Sequence, residues 1–239
     1  MRLSKKILLL IVLSSVIFSG CGSNYSNNTS RAAVDEYIMV VQRAVDLYIQ
    51  KLGVPPIKNK AQETPLYEKY QVDFKKLLNY QLISTIPTNA FENGGTIIYV
   101  LIKVETKTQV KLMDLITYKK MVELQDKVDQ FMKKNQGQIP KGIAVAAEFY
   151  VLDHEQLSEK SGQLRSPYSN QFLSIIIHIS GQISIDYAPE IMKMMKKKGL
   201  TQVDAKTDLR ALLVEEGIFV PVRSFPYYWI NNEPSVRIK

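Results

Sequence analysis

The sequence predicts an α+β fold, with helices packed on a mainly antiparallel sheet. Three observations carry that expectation. Val34, Ile38, Val41, Val45, Tyr48 and Leu52 recur at alternating spacings of four and three, which puts them on one face of a helix over residues 32–51. Residues 96–104 are apolar at nearly every position, as in a strand buried on both faces and central in its sheet. Two turn signals, Asn93-Gly94 and Gly181-Gln182, adjoin isoleucine-rich stretches and imply hairpins, hence antiparallel pairing.

The remaining elements follow in order. Gly53 and then Pro55-Pro56 stop the first helix. Residues 65–78 read as a shorter helix with Phe74, Leu77 and Leu78 inward. Residues 88–92 lead into the Asn93-Gly94 turn, and 96–104 is the return strand. A second long helix over 115–134 carries Met121, Leu124, Val128 and Phe131, and ends near Gly137 and Pro140. Ile143, Val145, Ala147, Phe149 and Val151 alternate, which predicts one strand. Asp153 and Gln156 have the spacing of a capping box and predict a helix start. Residues 172–180 read as a strand that turns through Gly181-Gln182 in a two-residue type II′ turn and returns over 183–187. That register sets Ile185 opposite His178.

Pro189 suits a first helical turn, Lys196, Lys197 and Lys198 a last one, and Gly199 its cap. Thr207 is placed to cap a helix running to Glu216 and stopped by Gly217. Tyr227-Tyr228-Trp229-Ile230 and residues 235–238 read as a terminal hairpin around 231–234.

The order of elements suggests a tandem duplication of a helix–strand unit of about 80 residues. Val45 to Lys51 followed by Gly53 and Pro55 parallels Val128 to Lys134 followed by Gly137 and Pro140. Pro87 to Phe91 parallels Pro167 to Phe172. The expected organisation is a signal peptide over 1–20, a tether over 21–31, α+β units over 32–113 and 114–187, and C-terminal helices and a hairpin over 188–239.

The N-terminus reads as an address. Arg2, Lys5 and Lys6 precede an apolar run from Ile7 to Phe18, and small residues Ser19 and Gly20 precede Cys21, the single cysteine of the chain. Twelve helical residues rise about 18 Å, short of a ~30 Å hydrocarbon core, so a secretory signal is expected and not a transmembrane span. Phe18-Ser19-Gly20-Cys21 resembles the lipobox of bacterial lipoproteins, although the family pattern has Leu where Phe18 stands. The resemblance implies cleavage before Cys21, diacylglycerol on its thiol, and fatty acyl chains such as palmitate that hold the protein to the extracytoplasmic face of the membrane. With no second cysteine in the chain, the thiol has no disulfide partner within it. Residues 22–30 are small and polar, a tether that spans about 30 Å at most.

The net charge is +8, and loss of the three basic leader residues lowers it to +5. That excess suits anionic lipid or wall polymer weakly, and a lysine-rich solvated surface better. Metal sites are not expected. Two histidines and one cysteine give no ligand spacing, and Asp153-His154-Glu155 are consecutive residues that share no helix face. His178 lies on the more polar face of its strand, with no nucleophile motif beside it. No phosphate loop or nucleic-acid fingerprint is present, so no cofactor and no nucleic-acid partner are expected. The aromatic group Phe225, Tyr227, Tyr228 and Trp229 is either a binding patch or the closure of the C-terminal core.

In length, tether and helix-then-strand units, the chain resembles small lipoproteins of low-GC Gram-positive bacteria, some of them loosely labelled solute-binding components of ABC transporters. The first functional expectation is a non-catalytic binding or scaffolding lipoprotein of the cell envelope, with an envelope protein or wall polymer as partner. The alternative is a solute-binding lipoprotein of an importer, with a small-molecule ligand, and a further alternative is an envelope enzyme.

Overall fold

The computed structural model describes residues 25–158, 164–169 and 171–238. The chain divides into two compact units, residues 1–37 and 38–239. The lipobox residues Phe18, Ser19, Gly20 and Cys21 lie outside the described residues. Helix α1 is Tyr25–Leu52. Within residues 38–52 it buries Val41, Val45 and Tyr48 of the predicted stripe, and Ala44 beside them, while Leu52 at its end is exposed. Gly53 takes a left-handed φ of +74° and donates its N–H to the Ile49 carbonyl at 2.7 Å, closing the helix as expected.

Two short helices replace the single one predicted over 65–78. They are α2, Leu66–Lys69, and α3, Phe74–Asn79. The residues between them are drawn into sheet pairing. Val72 N–H donates to the Tyr99 carbonyl at 2.9 Å, and Leu101 N–H donates to the Tyr70 carbonyl at 2.7 Å. A helix through 70–72 would leave those backbone groups of a buried strand unpaired.

That strand is β1, Ile97–Ile102, paired antiparallel with β2, Gln109–Asp114. It is central, as predicted. Tyr99 meets Phe74 edge-on at 5.4 Å on one face, and Ile98, Val100 and Ile102 join the main core on the other. The sequence reading did not anticipate β2. Its outer edge is covered by residues 218–220, with Leu112 N–H donating to the Ile218 carbonyl at 2.8 Å and Val220 N–H to the Leu112 carbonyl at 2.9 Å. The hairpin expected at Asn93-Gly94 does not form. Gly94 does take a left-handed φ of +83°, but it ends a 3₁₀ turn over Phe91–Asn93, and Ala90 runs parallel to Ile97.

Helix α4, Leu115–Lys134, matches its predicted span. The Asp114 carboxylate caps it by accepting from the Ile116 N–H at 2.9 Å, and Met121, Leu124 and Val128 are buried. The strand predicted from Ile143 to Val151 is a hairpin of β3, Lys141–Ala146, and β4, Phe149–Leu152, turned at Glu148 with φ +65°. The alternation misled because β3 is an exposed edge and has no buried face to specify.

The stretch predicted as one strand over 172–180 is divided between two sheets. Residues Leu164–Arg165, β5, pair with Phe172–Leu173, β6, while β7, Ile175–His178, and β8, Ile183–Ile185, complete a four-stranded antiparallel sheet in the order β3-β4-β7-β8. The turn after β7 is a three-residue loop and not a two-residue type II′ turn. His178 N–H donates to the Gln182 carbonyl at 2.9 Å, and Gly181, at φ +88°, donates to the His178 carbonyl at 2.8 Å. Ile185 therefore faces Ile175, not His178. A Cβ on Gly181 would also collide with the Met132 thioether.

The Asp153 carboxylate accepts from the Glu155 and Gln156 N–H groups and from the Gln156 amide, but the reciprocal half of the expected capping box does not form, since the Asp153 N–H donates to the Pro140 carbonyl. The segment closes turns through Ser158 instead of the expected helix. Helix α5, Ala188–Lys197, has Pro189 in its first turn, and Gly199 follows at φ +65°. Helix α6, Arg210–Glu216, starts after Asp208, which accepts from the Arg210 N–H, and not at Thr207. Strands β9, Tyr227–Ile230, and β10, Glu233–Val236, form the terminal hairpin. Asn231 and Asn232, at φ +51° and +65°, make a two-residue turn, so β10 begins earlier than predicted.

The regions from α1 to β2 and from α4 to β8 share a ground plan. Each has a helix, a left-handed glycine, an edge segment preceded by proline, a second strand and a closing hairpin. Asp73 N–H donates to the Pro56 carbonyl at 2.8 Å, and Asp153 N–H to the Pro140 carbonyl at 3.0 Å. The Gln42 amide donates to Asp46 and to the Thr108 carbonyl, and its oxygen accepts from Val110 N–H. The Gln125 amide makes the same set with Asp129, the Gly181 carbonyl and Ile183 N–H. Residues 218–223 link the two regions, since Ile185 N–H donates to the Arg223 carbonyl at 2.9 Å.

Candidate functional site

A cleft of about 320 Å³ opens where α2, the end of β1 with its following turn, and α6 converge. Leu66, Tyr67, Ile102, Val104 and Val214 give it an apolar lining, and Lys103, Glu105 and Thr106 form its polar lip. The volume is at the lower end of that found for small-molecule sites. Each wall has a local cause. The pairing of residues 70–72 with β1 sets α2 across the strand. The β1–β2 turn begins with Lys103 in the left-handed region at φ +51°, and its carbonyl accepts from Thr106 N–H at 3.1 Å. Helix α6 is held by Arg210, whose guanidinium is bidentate on Asp208, donates to the Ser224 carbonyl at 2.7 Å and lies over the Tyr67 ring at 5.0 Å.

Two ion pairs lie near the cleft. Lys103 reaches Glu215 at 3.3 Å, and Lys198 reaches Glu216 at 2.9 Å. The hydrogen bond to Lys198 holds the Glu216 carboxyl below its usual range. Burial, and then the like charge of Lys103, pull the Lys111 ammonium below its usual value, and that group donates to the Gly217 carbonyl. Burial, reinforced by Asp208, pushes the Tyr67 phenol up to about 12, so it stays neutral and able to donate. Behind α2, the buried Glu68 carboxylate accepts from Arg223 N–H at 2.7 Å, and burial raises its pKa. This arrangement can hold an apolar group beside a hydrogen-bonding rim.

The residues singled out by sequence lie elsewhere. Of the aromatic group, Tyr227 and Tyr228 are buried, while Phe225 and Trp229 are half-buried against the main core. Tyr227 is a core hydrogen-bonding residue. Its hydroxyl donates to Asp186 at 2.9 Å and accepts from Tyr187 N–H at 3.1 Å. These four side chains are not an open stacking surface. His178 Nδ1 accepts from Ser180 N–H at 3.2 Å and lies 2.8 Å from the Ser180 hydroxyl, with its ring against Phe149 at 4.9 Å. Asp153, His154 and Glu155 do not converge on one point with other ligands. Among the described residues no group of three or more His, Cys, Asp or Glu side chains could hold a metal ion.

Sequence reasoning missed Tyr67, Lys103 and Val214, because the cleft gathers three segments far apart in the chain. The one local signal was the Lys103 position, a charged residue ending an apolar strand.

The fold defines an α+β protein with an apolar-lined cleft of small-molecule size. Residues 34–114, about a third of the chain, are similar to the YphF family N-terminal domain, a bacterial family. That stretch covers most of α1 and runs to the end of β2, where Asp114 caps the next helix. No curated protein and no solved structure matches the chain. No described helix is long and apolar enough to cross a membrane.

Proposed function

We propose that this protein is an extracytoplasmic lipoprotein, anchored by lipid on Cys21, that binds an envelope protein or wall component without transforming it. The observation that carries the anchoring is the placement of the single cysteine after a basic, apolar and small-residue leader. Binding is supported by the cleft, where apolar side chains line the interior and Lys103, Glu105 and Thr106 form a polar lip, with Lys103 paired to Glu215.

A second reading, a solute-binding lipoprotein of an importer, is favoured by the same cleft, whose size suits a small molecule. Two experiments separate these statements. Cys21→Ala in the full chain is expected to abolish labelling by radioactive fatty acid and to release the protein from membranes. Unchanged labelling and membrane retention would overturn the anchoring. Thermal unfolding with panels of amino acids, peptides, sugars and wall fragments tests the ligand. A solute at about one hundred times its dissociation constant adds roughly 2.7 kcal/mol and raises the midpoint by several degrees. A rise with one solute class selects the importer reading, and no rise across the solutes selects a macromolecular partner.

A further inference from the structure

Most strand edges in the two main sheets are covered. Residues 70–72 cover β1, residues 218–220 cover β2, and Arg223 covers β8. Strand β3 differs, with β4 on one side and no strand on the other among the described residues. Its side chains are solvated on both faces, with Ile143 76% and Val145 40% exposed. The corresponding place in the first region is a single bridge at Ile57 and not a strand, although each follows a proline, Pro56 in the first and Pro140 in the second. Strand β3 has no proline, and its single charge is Lys141 at its start.

We propose that β3 pairs with β3 of a second copy of this chain, antiparallel about a twofold axis at Ala144. In that register Ile143 faces the partner subunit's Val145, and Val145 faces the partner subunit's Ile143, so both exposed apolar side chains are covered twice over. Lys141 falls beside the turn that carries the partner subunit's Glu148, whose side chain is 63% exposed, and the symmetry repeats this ion pair. No like charges are opposed. The register of β3 against β4 shifts on both sides of Ala144, and these irregularities twist the strand and confine pairing to its centre. The contact is isologous and uses up both edges, so it closes as a dimer and does not propagate. One short strand buries less than the roughly 1,200 Å² of a stable interface, so the dimer forms where copies are concentrated.

The test is disulfide trapping of the full chain in intact bacterial cells. Directly opposed residues of an antiparallel pair lie about 4.5–5.5 Å apart between Cα atoms, within the range that a disulfide spans. Ala144→Cys with a mild oxidant is expected to give a dimer band on a non-reducing gel. The parent chain, whose one cysteine is Cys21, supplies the baseline. Adding Ile143→Lys and Val145→Lys should remove the band without moving the melting temperature, because both side chains are exposed. No band above the parent, a band undiminished by the lysines, or attachment of position 144 to a different protein would each overturn the proposal.

Discussion

The region from α1 to β2 and the region from α4 to β8 solve one problem with the same backbone and different side chains. In each, a helix glutamine reaches the closing strand. Gln42 satisfies Thr108 and Val110, and Gln125 satisfies Gly181 and Ile183. In each, the third strand is buried on both faces, by Tyr99, Val100 and Leu101 in one and by Ile175, Ile176 and Ile177 in the other. The regions diverge at their outer edges and turns. The first replaces an edge strand with Pro55-Pro56 and a single bridge at Ile57, and it opens its hairpin turn into the lip of the cleft. The second keeps a full edge strand and closes its turn tightly on Gly181. A common interior therefore tolerates different rims, and the rims hold the candidate interactions.

The comparison can be broken most forcefully in the core. Leu101 pairs with Val110 as Ile177 pairs with Ile183, and both side chains are almost wholly buried. Leu101→Ala and Ile177→Ala should each cost about 2–5 kcal/mol. Urea unfolding checks this, and a loss below 1 kcal/mol in one alone would mean that the two strands are not equivalent.

The glutamines sharpen the comparison. Gln42→Ala and Gln125→Ala each leave a part-buried strand N–H without its acceptor, at a cost of about 1–3 kcal/mol. The two costs should agree and should add in the double variant, since the sites share no partner. A large cost at one and none at the other would reduce the resemblance to geometry without energetic content.

The smallest expected effect has the opposite sign. Glu68 stands before Val72 as Glu148 stands before Leu152, but Glu68 is buried and Glu148 exposed. Burial raises the Glu68 pKa in the folded protein, so the folded state favours the protonated form. Its contribution is then fully present below the ordinary carboxyl pKa and is lost as pH rises through the raised value. Glu68→Gln keeps an acceptor for Arg223 N–H and removes the charge, so this variant should be more stable than the parent near pH 7 and nearly equal to it near pH 4. Glu148→Gln should change stability little at either pH. Denaturant midpoints at the two values decide it.

Long amphipathic elements were legible from the chain alone. Helix α4 falls on its predicted residues, Gly53, Gly137 and Gly199 take the left-handed conformation expected after helices, and the Asp153 carboxylate accepts from the N–H groups that follow it. Each depends on interactions within a few residues, which sequence spacing records directly. The exposed alternation of β3 and the Asn93-Gly94 pair misled for the converse reason. The first has no buried face, and the second supplies a left-handed turn without specifying which strands flank it.

The sequence by itself determined the class of fold, the positions of the long helices and the apolar central strands. Only the tertiary structure decided that residues 70–72 pair with β1 and that 218–223 link the two sheets. It also decided that Tyr227 belongs to the core, and that Tyr67, Lys103 and Val214 meet at one cleft. Those outcomes rest on backbone groups of buried strands finding partners from distant segments. Hydrogen-bond satisfaction enforces that pairing, and local residue patterning does not encode it.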